Sequence, residues 1–469
     1  DRSRNRVRAL GYFENVEITE KAGTRPDRTT VDIDVTETAT GELSFAAGFS
    51  SVDSFLLDVS VTQRNLRGRG QTFVSRVSAS DRQQFVDVRF QEPRFLDRNL
   101  SAGIELFSTR SDFLDVSDFE SETIGAGINF GFPVSENTGL QLRYRLQSDE
   151  INVEDRGVVI EDETGLLALE EQVVDIENTP DDPLDDVTIN VPYDPTMPPF
   201  PDGTSLVDQC SPSFLARSSI CQSERADITS LIGYSFNWDR RNDPISPTGG
   251  FDFSLSQDLA GIGGDVQYLR TEVTGATYRG IFPGVRASVR LSGGVIEPLG
   301  DDDSIRINNR FFRGGSSFRG FDVAGLGPRV IDTLADENGN ITDIKALNSL
   351  GGKVYYQGTG EITLPNYLPE EYGIRTKLFV EAGSVGILDD ADISDPVFFS
   401  TSSNQYNGIP AGTPAVRQIK DGLGLRASAG LSVGWDSPFG PIQFDFSQIL
   451  RKEEYDRTET FRFSTSTRF

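Results

Sequence analysis

Leu425-Arg426-Ala427-Ser428-Ala429-Gly430-Leu431-Ser432-Val433-Gly434-Trp435 alternates without a break. Leu425, Ala427, Ala429, Leu431, Val433 and Trp435 share one face of an extended chain, and Arg426, Ser428, Gly430, Ser432 and Gly434 share the other. One face suits hydrocarbon and the other a wet lumen. The same parity returns in Ile228, Ile232, Tyr234, Phe236 and Trp238 opposite Thr229, Gly233, Ser235 and Asn237, and in Ile442, Phe444 and Phe446 opposite Gln443, Asp445 and Ser447. A soluble β-sandwich also alternates. These runs, however, approach the length of about 10 residues that a tilted strand needs to cross a bilayer, and they end in aromatics suited to the interfacial girdles. The expected fold is all-β, a transmembrane antiparallel β-barrel of about 16 strands, an even number that brings both ends of the wall out on one side.

Composition agrees with short strands and turns. The 469 residues include 46 Gly and 32 Phe but 1 Met and 2 Cys. Mean hydropathy is -0.33, and no apolar run reaches the roughly 18 residues of a spanning helix, so a membrane location requires strands. A formal net charge of -28 argues against nucleic acid as a partner, because phosphate binding rests on clustered Lys and Arg. The plain reading of the acid is solvated loops, since it collects in loop-like stretches. Cys210 and Cys221 lie close together in one polar segment, as expected of a small disulfide loop in an oxidising compartment. With no His and no second Cys pair, zinc is the weaker option. No cofactor, resident metal or enzymatic reaction is expected, for want of a nucleophile with its base or a phosphate cradle.

Residues 1–40 read as the C-terminal part of a small α/β module: a basic helical segment, a stop at Leu10-Gly11-Tyr12-Phe13, then strands at Val16 to Thr19 and Val31 to Val35. The start at Asp1, without Met or an apolar signal, suggests a piece of a longer exported protein. From Gly41 to Phe469 strand-length runs are separated by tight turns on one side and longer polar segments on the other. The short turns are Asn65 to Gly70, Pro93 to Asn99, Phe132 to Gly139, Asp243 to Gly250 and Asp436 to Gly440. Three long outward loops are expected near residues 149–225, 298–352 and 384–422. The first is acidic and Pro-rich, and its Asp181, Asp182, Asp185 and Asp186 lack the spacing of a known calcium loop.

Phe311-Phe312-Arg313-Gly314-Gly315-Ser316-Ser317-Phe318-Arg319-Gly320-Phe321 is the exception to polar loops. A Gly-rich loop can cradle phosphate, but no Lys-Ser or Lys-Thr pair and no helix start follow. So aromatic a segment should fold inward against the lumen wall, leaving Arg319 partly desolvated and in need of carboxylates. Parity supplies them. Glu361 falls on the lumen face of the Val354 to Leu364 strand, and Glu381 on that of the Ile374 to Gly383 strand. The expectation is that Arg319 pairs with both and locks the loop inside the barrel; the plainer alternative is two solvated lumen carboxylates.

Phe318-Arg319-Gly320-Phe321, preceded by Gly314-Gly315-Ser316-Ser317 and followed by Gly327-Pro328, resembles the conserved-loop signature of the BamA family of outer-membrane assembly factors, within the polypeptide-transport barrel superfamily. The family usually has Val where this chain has Phe318. Leu10 to Val16 resembles the helix end of the final polypeptide-transport-associated (POTRA) module. Glu361-Ile362-Thr363-Leu364-Pro365 and Glu381-Ala382-Gly383-Ser384-Val385 resemble the strands bearing the family's loop-locking acids, and Asp436 to Pro441 the near-terminal turn. The resemblance implies insertion and folding of β-barrel proteins through a lateral seam between the first and last strands. Here the seam would comprise Gly41, Glu42, Leu43, Ser44 and Phe45 against Phe461, Phe463, Ser466 and Phe469, with Ser466 standing where relatives have Gly. It further implies outer-membrane lipids and lipopolysaccharide, unfolded outer-membrane proteins and accessory assembly lipoproteins bound through POTRA modules as partners, with the POTRA side in the periplasm. A two-partner-secretion polypeptide transporter is the alternative.

Overall fold

The computed structural model describes residues 12–22, 29–51, 54–117, 119–153, 158–161, 167–168, 171–175, 186–190, 205–207, 226–244, 246–300, 305–335, 341–365, 372–389, 397–400, 413–437 and 440–468. Sixteen strands close into one antiparallel barrel. In chain order these are β1 (Gly41–Ser50), β2 (Ser54–Leu66), β3 (Gln71–Ala79), β4 (Gln83–Glu92), β5 (Ser101–Asp112), β6 (Phe119–Ser135), β7 (Thr138–Val153) and β8 (Ala226–Asp239). They continue as β9 (Gly249–Ala260), β10 (Tyr268–Phe282), β11 (Val285–Pro298), β12 (Val354–Leu364), β13 (Ile374–Gly386), β14 (Arg426–Ser437), β15 (Gly440–Arg451) and β16 (Phe461–Arg468). Each strand pairs with its neighbour in sequence, and β16 closes on β1.

Alternation decides which side chains face where. Leu43, Ile104, Leu106, Ile124 and Leu291 are more than half exposed on the outer wall. So wide an apolar belt suits lipid, and in water it would drive association. The opposite face is polar and cross-linked along the wall: Arg143 bonds Asp258 and Ser235, Arg145 bonds Glu105, and Asp149 accepts from Thr123, Gln147 and Thr229. No helix among the described residues is long and apolar enough to cross a membrane.

The tight turns lie at one end. Between β2 and β3, Asn65 Oδ1 accepts from Gly70 N at 2.8 Å while Arg67, Gly68 and Gly70 all have positive φ. Tyr12, just before an N-terminal hairpin of Phe13–Ala22 and Thr29–Glu37, donates its hydroxyl to Gly70 O at 3.3 Å, which sets the hairpin at this end. Two further links at the same end, Phe282 to Val285 and Leu364 to Ile374, were not among the expected turns. The first is hidden by Ile281 and Phe282, which read as strand.

At the other end the long segments are more than loops. Arg329–Ala335, Ile341–Ser349, Val397–Ser400 and Pro414–Lys420, drawn from the second and third expected loops, form one four-stranded antiparallel sheet. Its strands are short, shift register internally and pair across distant parts of the chain, so no local period announces them. A single helical turn, Leu114–Ser117, sits between β5 and β6. The helical segment expected within residues 1–11, the Cys210 and Cys221 pair, Asp181, Asp182, Asp185 and Phe469 lie outside the described residues.

Candidate functional site in the lumen and at the seam

After β11 the chain turns into the barrel. Phe311 and Gly352 exchange backbone hydrogen bonds at 2.9 Å, and Arg313 bridges to Leu326. Between these anchors Gly315 N donates to Phe321 O at 2.9 Å, closing a compact turn. Phe318 and Phe321 meet edge to face with centroids 5.2 Å apart, and both are buried with Phe311, Leu326, Tyr355 and Val385. Gly320 lies at φ +93°, and a Cβ there would stand 2.9 Å from both Ile449 Cδ1 and Ser428 Cβ. Conformation and space therefore both require glycine where the loop touches β14 and β15.

This turn aims Arg319 at the wall. Its Nε donates to Glu381 Oε1 at 2.6 Å, its backbone N donates to Glu381 Oε2 at 2.8 Å, and Nη2 donates to Glu361 Oε1 at 2.8 Å. The guanidinium carbon lies 3.8 Å from the Phe379 ring centre. Phe379 can lie there because its register partner is Gly430, where a Cβ would come within 2.6 Å of the ring. Burial works against the charged guanidinium, but the two carboxylates outweigh it and hold its pKa above the ordinary value. Ser428 Oγ donates to Arg319 O at 2.6 Å, Gln357 donates to Ser317 O at 2.7 Å, and Lys377 bonds the second oxygen of Glu361 at 3.3 Å. Parity alone did not single out Phe379, Ser428, Gln357 or Lys377 as partners of the loop.

The connection from β15 to β16 is stitched to the same loop. Asp322 N donates to Arg457 O, Arg457 N to Gly325 O and Glu459 N to Gly320 O, at 3.1, 3.0 and 3.1 Å. Arg457 Nη2 also donates to Ala346 O at 3.0 Å in the four-stranded sheet. Below it, Arg426 at the start of β14 meets Asp456 at 3.0 Å, with Ser384 Oγ and Gly424 O as further acceptors. The lumen between the loop and the wall holds a cavity of about 880 Å³ lined by Arg82, Glu272, Arg290 and Arg313. A second of about 460 Å³ lies beside the seam, lined by Ser50, Lys377, Gln443 and Ser464.

At the seam, five residue pairs join β16 to β1, from Ser464–Ser50 to Arg468–Ala46, with Ser466 opposite Gly48. Ten pairs join β1 to β2. The expected seam is therefore corrected in register. Among the described residues Gly41, Glu42, Leu43, Ser44 and Phe45 have no partner on β16 and pair with Gln63 to Val59 of β2. Phe461 and Phe463 pair with Phe446 and Phe444 of β15 and not with β1. The physical reason is stagger: among the described residues β16 is matched to β1 only down to Ala46, and the lower half of the β1 edge has no partner there.

The family model for the Omp85 superfamily domain matches residues 65–469. The outer membrane protein assembly factor BamA of Neorickettsia risticii (strain Illinois) is 22% identical over 469 residues, all of this chain and 50% of that protein. Its namesake in Neisseria meningitidis serogroup B is 26% identical over 100% of this chain and 52% of that protein. The chain thus spans about half the length of these curated relatives. Among solved structures, BamA from Haemophilus ducreyi lacking POTRA domains 1–3 superposes with a TM-score of 0.66 at 20% identity, covering 100% of this chain and 77% of that one. A closed sixteen-strand barrel, a lumen loop fixed through Arg319 and a family match over residues 65–469 together make this chain a member of the Omp85 superfamily.

Proposed function

We propose that this chain is the barrel of an assembly factor that inserts and folds β-barrel proteins in the outer membrane. The carrying observation is that, among the described residues, β1 from Gly41 to Phe45 has no partner on β16 and the closure holds five residue pairs. Backbone groups left unpaired in hydrocarbon cost several kcal/mol each, so an incoming strand gains most by pairing where an edge is already open. The seam then acts as a template, with no covalent step. Residues 1–40 are read as the end of a POTRA module facing the periplasm, through which accessory lipoproteins dock. Unfolded outer-membrane proteins are the substrates, and lipids and lipopolysaccharide surround the wall. Export of a soluble polypeptide through the lumen, the competing reading, would first require Arg319 to leave Glu361 and Glu381.

The test is a lock across the seam. In the full-length parent protein, Gly48→Cys with Ser466→Cys places two thiols at register partners. Oxidation should stop assembly of a reporter barrel and reduction should restore it. Assembly that continues with the seam fully crosslinked would overturn the template reading.

A further inference from the structure

Six arginines of the barrel strands sit against carboxylates: Arg76 with Asp58, Arg89 with Asp87, Arg110 with Glu120, Arg143 with Asp258, Arg145 with Glu105 and Arg270 with Glu272, while Arg290 donates to the Tyr278 hydroxyl at 3.4 Å. Arg67, Arg69, Arg94 and Arg98, in the β2–β3 and β4–β5 turns, are all exposed, and none of their guanidinium groups bonds a carboxylate among the described residues; the Arg94 backbone N donates to Glu92 Oε1 at 3.0 Å. In a chain with a net charge of -28, acids are plentiful, so four unmatched cations in two turns run against the overall balance. The turns adjoin each other: Gln71 donates to Glu92 at 2.7 Å, and a Cβ on Gly70 would lie 3.7 Å from Pro93 Cγ. Asp97 is the one acid within either turn.

Beside these cations lies an apolar shelf. Leu96 is 72% exposed, Val134 63% and Phe132 37%. Phe95 packs edge-on against Phe130 at 6.2 Å. Leu96 sits at φ +56°, a conformation that a leucine rarely adopts, with the turn held by Phe95 N to Leu100 O and Arg98 N to Phe95 O. A strained backbone that turns a leucine out of the protein, flanked by guanidiniums, matches the boundary between acyl chains and phosphates.

We propose that the paired β2–β3 and β4–β5 turns form a binding site for the phosphate headgroup of an anionic glycerophospholipid, with Arg67, Arg69, Arg94 and Arg98 on the phosphate and Leu96, Phe132 and Val134 at the acyl boundary. The assignment of this rim to the periplasmic leaflet rests on the proposed function; the site itself does not. Guanidinium suits this ligand because its planar donors engage two phosphate oxygens at once.

The experiment is native mass spectrometry of the purified full chain released from micelles with equal phosphatidylglycerol and phosphatidylcholine. The wild type should retain phosphatidylglycerol preferentially, and the Arg67→Gln/Arg69→Gln/Arg94→Gln/Arg98→Gln variant should lose that preference by about tenfold or more. Heat-shifted electrophoretic mobility confirms that the variant is folded. Equal retention by the two proteins, or no preference in the wild type, would overturn the site, as would displacement of phosphatidylglycerol by lipopolysaccharide at equal phosphate. Because the readout is lipid retention on the isolated protein, a failed seam-lock experiment leaves it unaffected, and the converse holds.

Discussion

The Arg426 guanidinium and the Asp456 carboxylate meet at 3.0 Å with both side chains at 0% exposure, and this pair fixes the segment that delivers β16 to the seam. Asp456 also accepts from Glu453 N at 2.7 Å, which folds the β15–β16 connection onto the wall. Removing one partner of a buried pair leaves the other charge uncompensated, a loss of roughly 3–5 kcal/mol. Asp456→Ala should therefore lower the urea midpoint of barrel unfolding in detergent, whereas Arg426→Met with Asp456→Leu together should restore much of it. An unchanged midpoint in the single variant would show that the connection is held by its backbone bonds alone.

The two carboxylates on Arg319 are unequal. Glu381 receives both the guanidinium and the backbone N of Arg319, while Glu361 shares its charge with Lys377. Glu381→Ala should destabilise the barrel by about 3–5 kcal/mol, and Glu361→Ala by about 1–2 kcal/mol, since Lys377 and Glu381 remain. Arg319→Lys should behave more like Arg319→Ala than like the wild type, because an ammonium cannot span both acids while stacking on Phe379. Equal losses at the two acids, followed by tryptophan fluorescence in urea, would refute this ranking.

Gly320 and Gly263 separate conformation from space. Both have positive φ, +93° and +73°, but a Cβ at Gly263 would meet nothing within 4 Å. Gly263→Ala should cost about 1 kcal/mol. Gly320→Ala must also push back Ile449 and Ser428, adding about 1–3 kcal/mol. The difference in unfolding midpoint between the two variants is the measurement, and a smaller loss at Gly320 would contradict the close packing of loop and wall.

Register at the seam is testable by oxidation alone. Ala47 and Thr467 are partners, so Ala47→Cys with Thr467→Cys should form a disulfide readily. Leu43→Cys with Phe463→Cys should not, because Leu43 pairs with Val61 on β2 and Phe463 with Phe444 on β15. Efficient crosslinking of the second pair would mean that β16 slides along β1.

Much of the wall is legible from alternation, because a residue that faces lipid and its neighbour that faces water obey opposite demands. The run from Leu425 to Trp435 carries that signal almost alone. On β12 and β13 the same signal carries the side of the wall on which Glu361 and Glu381 lie. Parity says nothing about stagger, however, and this is why Gly41 to Phe45 could not be told from Ala46 to Ser50 as seam partners. Nor does it say which glycine makes room for a ring: Gly430 reads as one more small lumen residue, and only the register shows it opposite Phe379. The outer four-stranded sheet escapes for a related reason. Its partners, such as Val330 and Ile419, stand far apart in sequence and are joined by no period.

The stitching of Asp322, Gly325 and Gly320 to Arg457 and Glu459 has a mechanical consequence. Among the described residues these loop bonds gather at the upper end of β16, so the two strands part as a zipper does, starting from the end that the loop does not hold. Separation begins at Arg468–Ala46 and climbs one rung at a time toward Ser464–Ser50. The barrier is then a staircase of small steps, each reversible, and a load applied at the lower end works with the full leverage of the strand.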